Sequence, residues 1–192
     1  MLFVFGMNHP EGCKKIQEVK SLIKTRKFPK EVLADAYEFL SLSYQGLRDF
    51  KSSIQCLEQA IENREPNDFK AGLDYATIAW MYYQLSEPKE VIAAYESAIK
   101  YLRNFEGLED IILEYNSRIA LEYQKLKMHK KAAEILLNCS EQAWKLTLYE
   151  KSLFMKVRGG VSLIETGMYE DGMSCLENAR KAAKDKFGRE SF

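Results

Sequence analysis

One pattern occurs four times along this 192-residue chain: a first segment, a short polar turn, and a second segment with small and large residues at fixed offsets. The small residue of the first segment is, in order, Ser41, Ala79, Ala120 and Gly160. Successive copies are therefore 38, 41 and 40 residues apart. Between the turns, apolar residues recur every three or four positions, which is the spacing of one helical face. One pair of helices cannot cover its own apolar face, so the repeat predicts stacked helix pairs.

No alternating run predicts a strand, and the four prolines all fall at expected boundaries between helices. We therefore expect an all-α fold with about nine helices. The predicted helices cover residues 13–26, 30–46, 50–64, 69–85, 88–104, 108–126, 129–146, 149–166 and 169–186. The predicted organisation is one domain over residues 1–192, with a partial pair at 1–27 and repeats at about 34–66, 72–104, 113–146 and 153–186.

Over roughly residues 34–186, the pattern resembles the tetratricopeptide repeat family. The first copy carries it in Leu40, Ser41 and Tyr44 before the turn and in Ser53, Leu57 and Ala60 after it. The resemblance implies a right-handed solenoid of antiparallel helix pairs that binds a protein or peptide on its concave surface. The copies exceed the family's standard period of about 34 residues. Repeats of this length look like those of bacterial peptide-pheromone receptors of the Rap and Rgg type.

The family's ligands lie mainly along the first helix of each pair. Carried over position by position, this frame makes binding candidates of Glu38, Gln45, Trp80, Tyr83, Gln84, Leu121, Gln124 and Val161, with Asn116 beside them. Trp80 and Tyr83 are predicted as apolar anchors, because aromatic anchors inside a polar rim carry much of an interface's binding energy. The glutamines and Asn116 are predicted to bond the ligand backbone. The alternative is that Trp80 and Tyr83 only pack between adjacent helix pairs.

Charge and reactive residues favour a non-enzymatic protein. The 28 basic and 28 acidic residues balance, so no excess of positive charge predicts direct binding of nucleic acid. Neither the four scattered cysteines nor His9 and His129 have the spacing of a metal site, so we expect no metal or cofactor. Buried free thiols indicate a reducing, cytoplasmic compartment, and no segment predicts membrane insertion. Gly159 and Gly160 lack the features of a phosphate loop and are predicted to permit close helix packing.

Three functions remain open at this stage. The first is a scaffold or adaptor that binds a protein or peptide on its concave surface. The second is a peptide-responsive regulatory module of a bacterial signalling system, and the third is a structural assembly subunit. The apolar residues 2–5 have three competing explanations: a terminus folded back on the chain, a homodimer contact through the terminal helices, or a cut from a longer protein.

Overall fold

The computed structural model describes residues 10–188, and these contain nine α-helices and no strand. The helices are α1 (Pro10–Thr25), α2 (Lys30–Gly46), α3 (Phe50–Glu62), α4 (Phe69–Gln84), α5 (Pro88–Leu102), α6 (Glu109–Lys125), α7 (His129–Lys145), α8 (Tyr149–Glu165) and α9 (Tyr169–Phe187). Every predicted helix occurs, with ends within three residues of the expected ones. The all-α repeat fold is therefore confirmed. His9 and the apolar residues 2–5 lie outside the described residues.

The helices fall into two compact units, one holding α1 to α5 and the other α6 to α9. Within each unit, helices that follow one another in the chain pack side by side. In the first unit, the buried side chains of Ile16, Leu40 and Tyr44 join α1 to the first repeat. In the second, Leu113, Leu136 and Met155 bring α6, α7 and α8 together. That the units form one domain over residues 1–192 stays a prediction.

Five of the connections share one turn with a left-handed residue. This residue is Arg48, Ser86, Lys127, Thr147 or Gly167, with φ between 58° and 85°. The next N–H then donates to the carbonyl five residues earlier, as from Asp49 to Tyr44 (2.9 Å) and from Met168 to Leu163 (3.1 Å). This is the Schellman arrangement, which satisfies the last carbonyls of a helix and reverses the chain. Only one of the five residues is glycine, so the turn forms in spite of an unfavourable residue four times.

The small residues of the repeat lie where the two helices of a pair cross. Ser41, Ala79 and Ala120 are fully buried, and Gly160 is buried in the fourth copy. Gly159 and Gly160 serve opposite neighbours: a Cβ on Gly159 would lie 2.9 Å from Leu137 of α7, whereas one on Gly160 would lie 3.0 Å from a backbone oxygen of α9. The prediction that the glycine pair permits close helix packing is confirmed.

The cysteines agree only in part with the sequence prediction. Cys56 and Cys139 are buried, and burial raises the pKa of the Cys139 thiol to about 11. Cys13 is exposed on α1 and Cys175 is partly exposed on α9, so the expectation of buried thiols is wrong for these two. The reason is that both belong to outer helices of their units, where the helix has packed neighbours on fewer sides.

Candidate protein-binding faces

In the first unit, the exposed side of α4 carries large apolar side chains. Trp80 and Tyr83 are 42% and 52% exposed, and Gln84 is exposed beside them. Leu73 lies two turns before Trp80 on the same side and is 38% exposed. We call Leu73, Trp80, Tyr83 and Gln84 the α4 face. Sequence reasoning missed Leu73, although its spacing of seven from Trp80 places both on one helical stripe.

Trp80 also packs against the preceding helix pair. Its indole meets the ring of Phe50, at the start of α3, edge to face, with ring centroids 5.6 Å apart and an interplanar angle of 88°. Such a contact orients an aromatic side chain as well as burying part of it. The structure is compatible with both predictions for Trp80, packing between helix pairs and contact with a ligand: one part of the side chain packs on Phe50 and the other part is exposed to solvent. Its role in binding stays a prediction.

Glu38 is held in an ion cluster and not presented freely on the inner side of α2. Its Oε2 accepts from Nη2 of Arg64 at 2.7 Å, and Nε of the same arginine donates to Oδ2 of Asp74 at 2.7 Å. The Arg64 side chain is only 3% exposed, and Asp68 lies 3.5 Å from Nη1. We call these four residues the Arg64 cluster. Arg64 lies in the connection between α3 and α4, where no helical periodicity could have singled it out.

Within the Arg64 cluster, the pKa of the Asp74 carboxyl is raised. Burial raises the pKa of this carboxyl to about 6, while the hydrogen bond and charge of Arg64 oppose that rise. The neighbouring charges of Glu38 and Asp68 add to it. Three carboxylates thus share one guanidinium that links α2 to α4. The cluster therefore joins two repeats, and a role of Glu38 in ligand binding stays a prediction.

The amide side chains predicted to bond a ligand are largely engaged within the protein. Gln45 donates to Oγ of Ser41 at 3.2 Å, and Asn116 donates to the Ile112 carbonyl of its own helix at 3.0 Å. Gln124 donates to Ser162 Oγ at 2.7 Å. Each amide keeps a second N–H hydrogen for a further partner. Their role as ligand donors stays a prediction, and their role in packing is a finding that sequence spacing could not supply.

In the second unit, exposed apolar side chains lie on α6 and α8. Leu121 is 37% exposed, Val161 is 43% exposed, and Phe154, which lies seven residues before Val161, is 57% exposed. Arg158 lies between Phe154 and Val161 along α8 and is half-buried. We call Leu121, Phe154, Arg158 and Val161 the α6–α8 face. Sequence reasoning found Leu121 and Val161 and missed the other two.

A polar network joins the two helices beneath this face. Nη2 of Arg158 donates to Oε1 of Gln124, and Gln124 in turn donates to Ser162 Oγ, which donates to the Arg158 carbonyl at 3.0 Å. The Arg158 guanidinium carbon lies 5.6 Å from the centroid of the Phe154 ring, within the range of a cation–π contact. These contacts hold the guanidinium in one place at the surface of α8.

Three further observations concern metal binding, a cavity and membrane insertion in residues 10–188. No group of three His, Cys, Asp or Glu side chains is arranged to hold a metal ion in residues 10–188. A cavity of about 350 Å³ lies between α7, α8 and α9, and Trp144, Lys145 and Lys156 are among its lining residues. At its floor, Ser152 Oγ donates to the Ser140 carbonyl at 2.7 Å, and the two hydroxyl oxygens lie 3.1 Å apart. None of the helices in the described region has the length and apolar composition needed to cross a bilayer.

This chain resembles known proteins in sequence over one repeat and in structure over most of its length. Residues 34–67 match the tetratricopeptide repeat family. The TPR-like repeats of a putative kinesin light chain from Podosopora anserina are similar in structure, with a TM-score of 0.65, 15% sequence identity, and coverage of 93% of this chain and 90% of that one. The crystal structure of MamA is also similar, with a TM-score of 0.54, 16% identity, and coverage of 94% and 93%. No curated protein sequence matches the chain.

These likenesses confirm the tetratricopeptide-like repeat fold. The family match covers the first copy of the pattern, and the structural similarity extends over most of the chain. At such low sequence identity, similarity of structure carries no ligand or partner from one protein to another. The resemblance to peptide-pheromone receptors stays a prediction.

Proposed function

We propose that this protein is an interaction scaffold whose α4 face and α6–α8 face each bind an extended segment of another protein. One observation carries the proposal. The residue that directly follows the buried small residue is large, apolar and exposed in every copy: Leu42, Trp80, Leu121 and Val161 are 57%, 42%, 37% and 43% exposed. A single exposed apolar residue is ordinary, but a repeated one at the same position marks a surface for a partner.

The arrangement also provides the physical features of a peptide surface. Trp80 supplies a large side chain that Phe50 already orients, so little conformational freedom remains to be lost on binding. Tyr83 and Gln84 place polar atoms next to it, as the rim of an interface requires. The fold itself is generally a non-catalytic scaffold.

The experiment is affinity capture from a lysate of the source cell with wild-type protein and with Trp80→Ala/Tyr83→Ala. We expect partners that wild type retains to be lost with the double variant, because removing an aromatic anchor weakens an interface strongly. Trp144→Ala is the matched control, since Trp144 is a 39% exposed tryptophan on α7 with an edge-to-face ring contact of its own to Tyr149, outside both faces. Partners retained by the double variant and lost with Trp144→Ala would contradict the proposal.

A second candidate is a regulatory module in which a bound peptide changes the conformation of the coil. The spacing of 38 to 41 residues between copies supports it, because that spacing is what resembles the peptide-pheromone receptors. Such a mechanism needs a ligand with different affinities for two conformations. Small-angle scattering with and without a captured peptide tests it, and an unchanged radius of gyration at saturation would contradict it.

A third candidate is assembly through a terminal helix. On α9, Tyr169 and Met173 are 65% and 59% exposed and lie one helical turn apart. Analytical ultracentrifugation of wild type and Tyr169→Ser/Met173→Ser tests this homodimer contact. A wild-type protein that sediments as a monomer at high concentration would contradict it.

A further inference from the structure

Among the arginines that the structure describes, two are withdrawn from solvent, and they differ in what surrounds them. Arg64 has three carboxylates within 3.5 Å of its guanidinium, those of Glu38, Asp68 and Asp74. Arg158 has no carboxylate within salt-bridge distance in the part of the chain that the structure describes. Its partners are the amide oxygen of Gln124 and the ring of Phe154.

The environment of Arg158 disfavours its charge. Burial lowers the pKa of this guanidinium, and no carboxylate within residues 10–188 lies at salt-bridge distance to offset the loss of solvent. An arginine stays charged in proteins even so, which leaves a partly desolvated cation that has no counter-charge among the described residues. A residue in this state gains more from an incoming carboxylate than a solvated surface arginine does, because part of its desolvation has already occurred.

The geometry around Arg158 also prepares it for a planar anion. Nη2 of Arg158 donates to Gln124, and Gln124 donates to Ser162. These bonds restrict the orientations that the guanidinium plane can adopt. Phe154 supports the group from α8 itself. A guanidinium fixed in this way can present its remaining N–H groups as a fork that matches the two oxygens of a carboxylate.

We propose that the α6–α8 face recognises an acidic side chain, Asp or Glu, that lies between two apolar side chains of an extended peptide. This inference rests on the proposed function and names the ligand class for one of its two faces. The carboxylate pairs with Arg158, and the neighbouring apolar side chains pack on Phe154 to one side and on Val161 and Leu121 to the other.

The carboxylate comes from an internal residue and not from a chain terminus. Exposed apolar groups lie on both sides of Arg158 along α8, four residues before it and three residues after it. A peptide that packs on both must continue in both directions past its acid. A C-terminal carboxylate supplies chain on one side alone and leaves one apolar group uncovered.

The experiment uses the full chain and an array of random peptides of about ten residues, which span about 33 Å when extended. All peptides are N-acetylated and C-terminally amidated, so that only side-chain carboxylates are available. We expect wild type to select peptides with Asp or Glu between apolar residues. Replacing the acid by Asn or Gln in a selected peptide should weaken binding by about tenfold or more, since hydrogen bonds to charged groups are worth that much.

Arg158→Met keeps the apolar length of the side chain and removes the guanidinium. In this variant we expect the preference for an acid to disappear while apolar residues are still selected. Arg118→Met is the matched control: Arg118 is an exposed arginine on α6 that already pairs with Glu114, so the preference should persist. Circular dichroism of each variant checks that the helices are intact.

The outcomes separate this inference from the proposed function. Selection of apolar peptides without any acid by wild type, or an acid preference that survives Arg158→Met, overturns the role of Arg158 and leaves the scaffold proposal standing. Failure of wild type to select any peptide overturns both. A second array of the same peptides with free C-terminal carboxylates tests the terminal alternative: if those peptides bind and peptides with internal acids do not, the ligand class is wrong. If Arg158→Met unfolds the second unit, the acid-to-amide replacement in a selected peptide still tests whether wild type recognises an acid.

Discussion

Gly160 and Gly172 bring α8 and α9 so close that a Cβ on Gly172 would lie 2.7 Å from the carbonyl oxygen of Gly160. The same Cβ would lie 2.6 Å from Ile164 Cγ1 and 3.1 Å from the Ile164 nitrogen. Real Cβ atoms do not come this near a backbone oxygen, and no flexible side chain can move aside to relieve that contact. The two helices can therefore pack as they do only without a side chain at this crossing.

Gly172→Ala is expected to lower the free energy of unfolding by about 1–3 kcal/mol, the usual cost of forcing extra volume into a packed site. Chemical denaturation measures it. Gly46→Ala is the matched control, because nothing lies within 4 Å of a Cβ at the end of α2. There the same change should stabilise by about 0.5–1 kcal/mol through helix propensity. Equal effects at both positions would show that the crossing is not the cause.

Thr147→Gly is expected to raise the free energy of unfolding by about 1 kcal/mol. Thr147 has φ of 62° in the turn between α7 and α8, a conformation that a β-branched residue adopts only at a cost. Glycine adopts it freely, as Gly167 does in the equivalent turn between α8 and α9. Thr147→Ala should gain less than Thr147→Gly, since alanine keeps a Cβ. A larger gain for alanine would point to loss of the hydroxyl as the cause.

Asp74→Asn is expected to change how stability depends on pH. The pKa of Asp74 is raised to about 6 from 3.8, so between these values the folded protein binds more protons than the unfolded chain. The contribution of this group to the free energy of unfolding therefore falls as pH rises through that window, by at most about 1.4 kcal/mol per pH unit. Above the folded pKa the penalty is complete.

Urea unfolding of wild type and Asp74→Asn at about pH 4.5, inside the window, and at about pH 7, above it, measures this effect. The variant should gain stability relative to wild type on going from the lower to the higher pH, because asparagine does not titrate. A difference between the two proteins that is the same at both pH values would mean that Arg64 holds the Asp74 carboxylate ionised throughout.

A double-mutant cycle at Phe50 and Trp80 separates packing from binding. Their edge-to-face contact is expected to contribute a coupling energy of about 0.5–1.5 kcal/mol to folding. Trp80→Ala should leave the helices formed, since 42% of this side chain already meets solvent. Loss of most far-ultraviolet circular dichroism in Trp80→Ala would instead make Trp80 a core residue and remove it from the α4 face.

Individual residues show how far sequence reasoning could reach into the site. The repeat frame predicted that Trp80, Leu121 and Val161 face a ligand, and the structure shows only that all three are exposed. That exposure could be expected, because a position next to a buried small residue has a predictable direction on a helix. The repeat pattern could not predict that Glu38 pairs with Arg64, or that Gln124 is hydrogen-bonded to Ser162 and Arg158. These partners are 26, 38 and 34 residues apart, and no local spacing encodes a contact across that distance.

The sequence by itself determined the helices, their order and the positions of the small residues, because these depend on periodicity and on contacts between neighbours in the chain. It also determined which apolar residues stand at corresponding points of the repeat. Tertiary structure decided which polar side chains are free for a ligand, since a polar group withdrawn from water is bonded by whichever partner packing brings to it. Arg64 and Arg158 show the difference. Arg64 lies within ion-pair distance of three carboxylates, whereas Arg158 contacts the amide of Gln124 and the ring of Phe154.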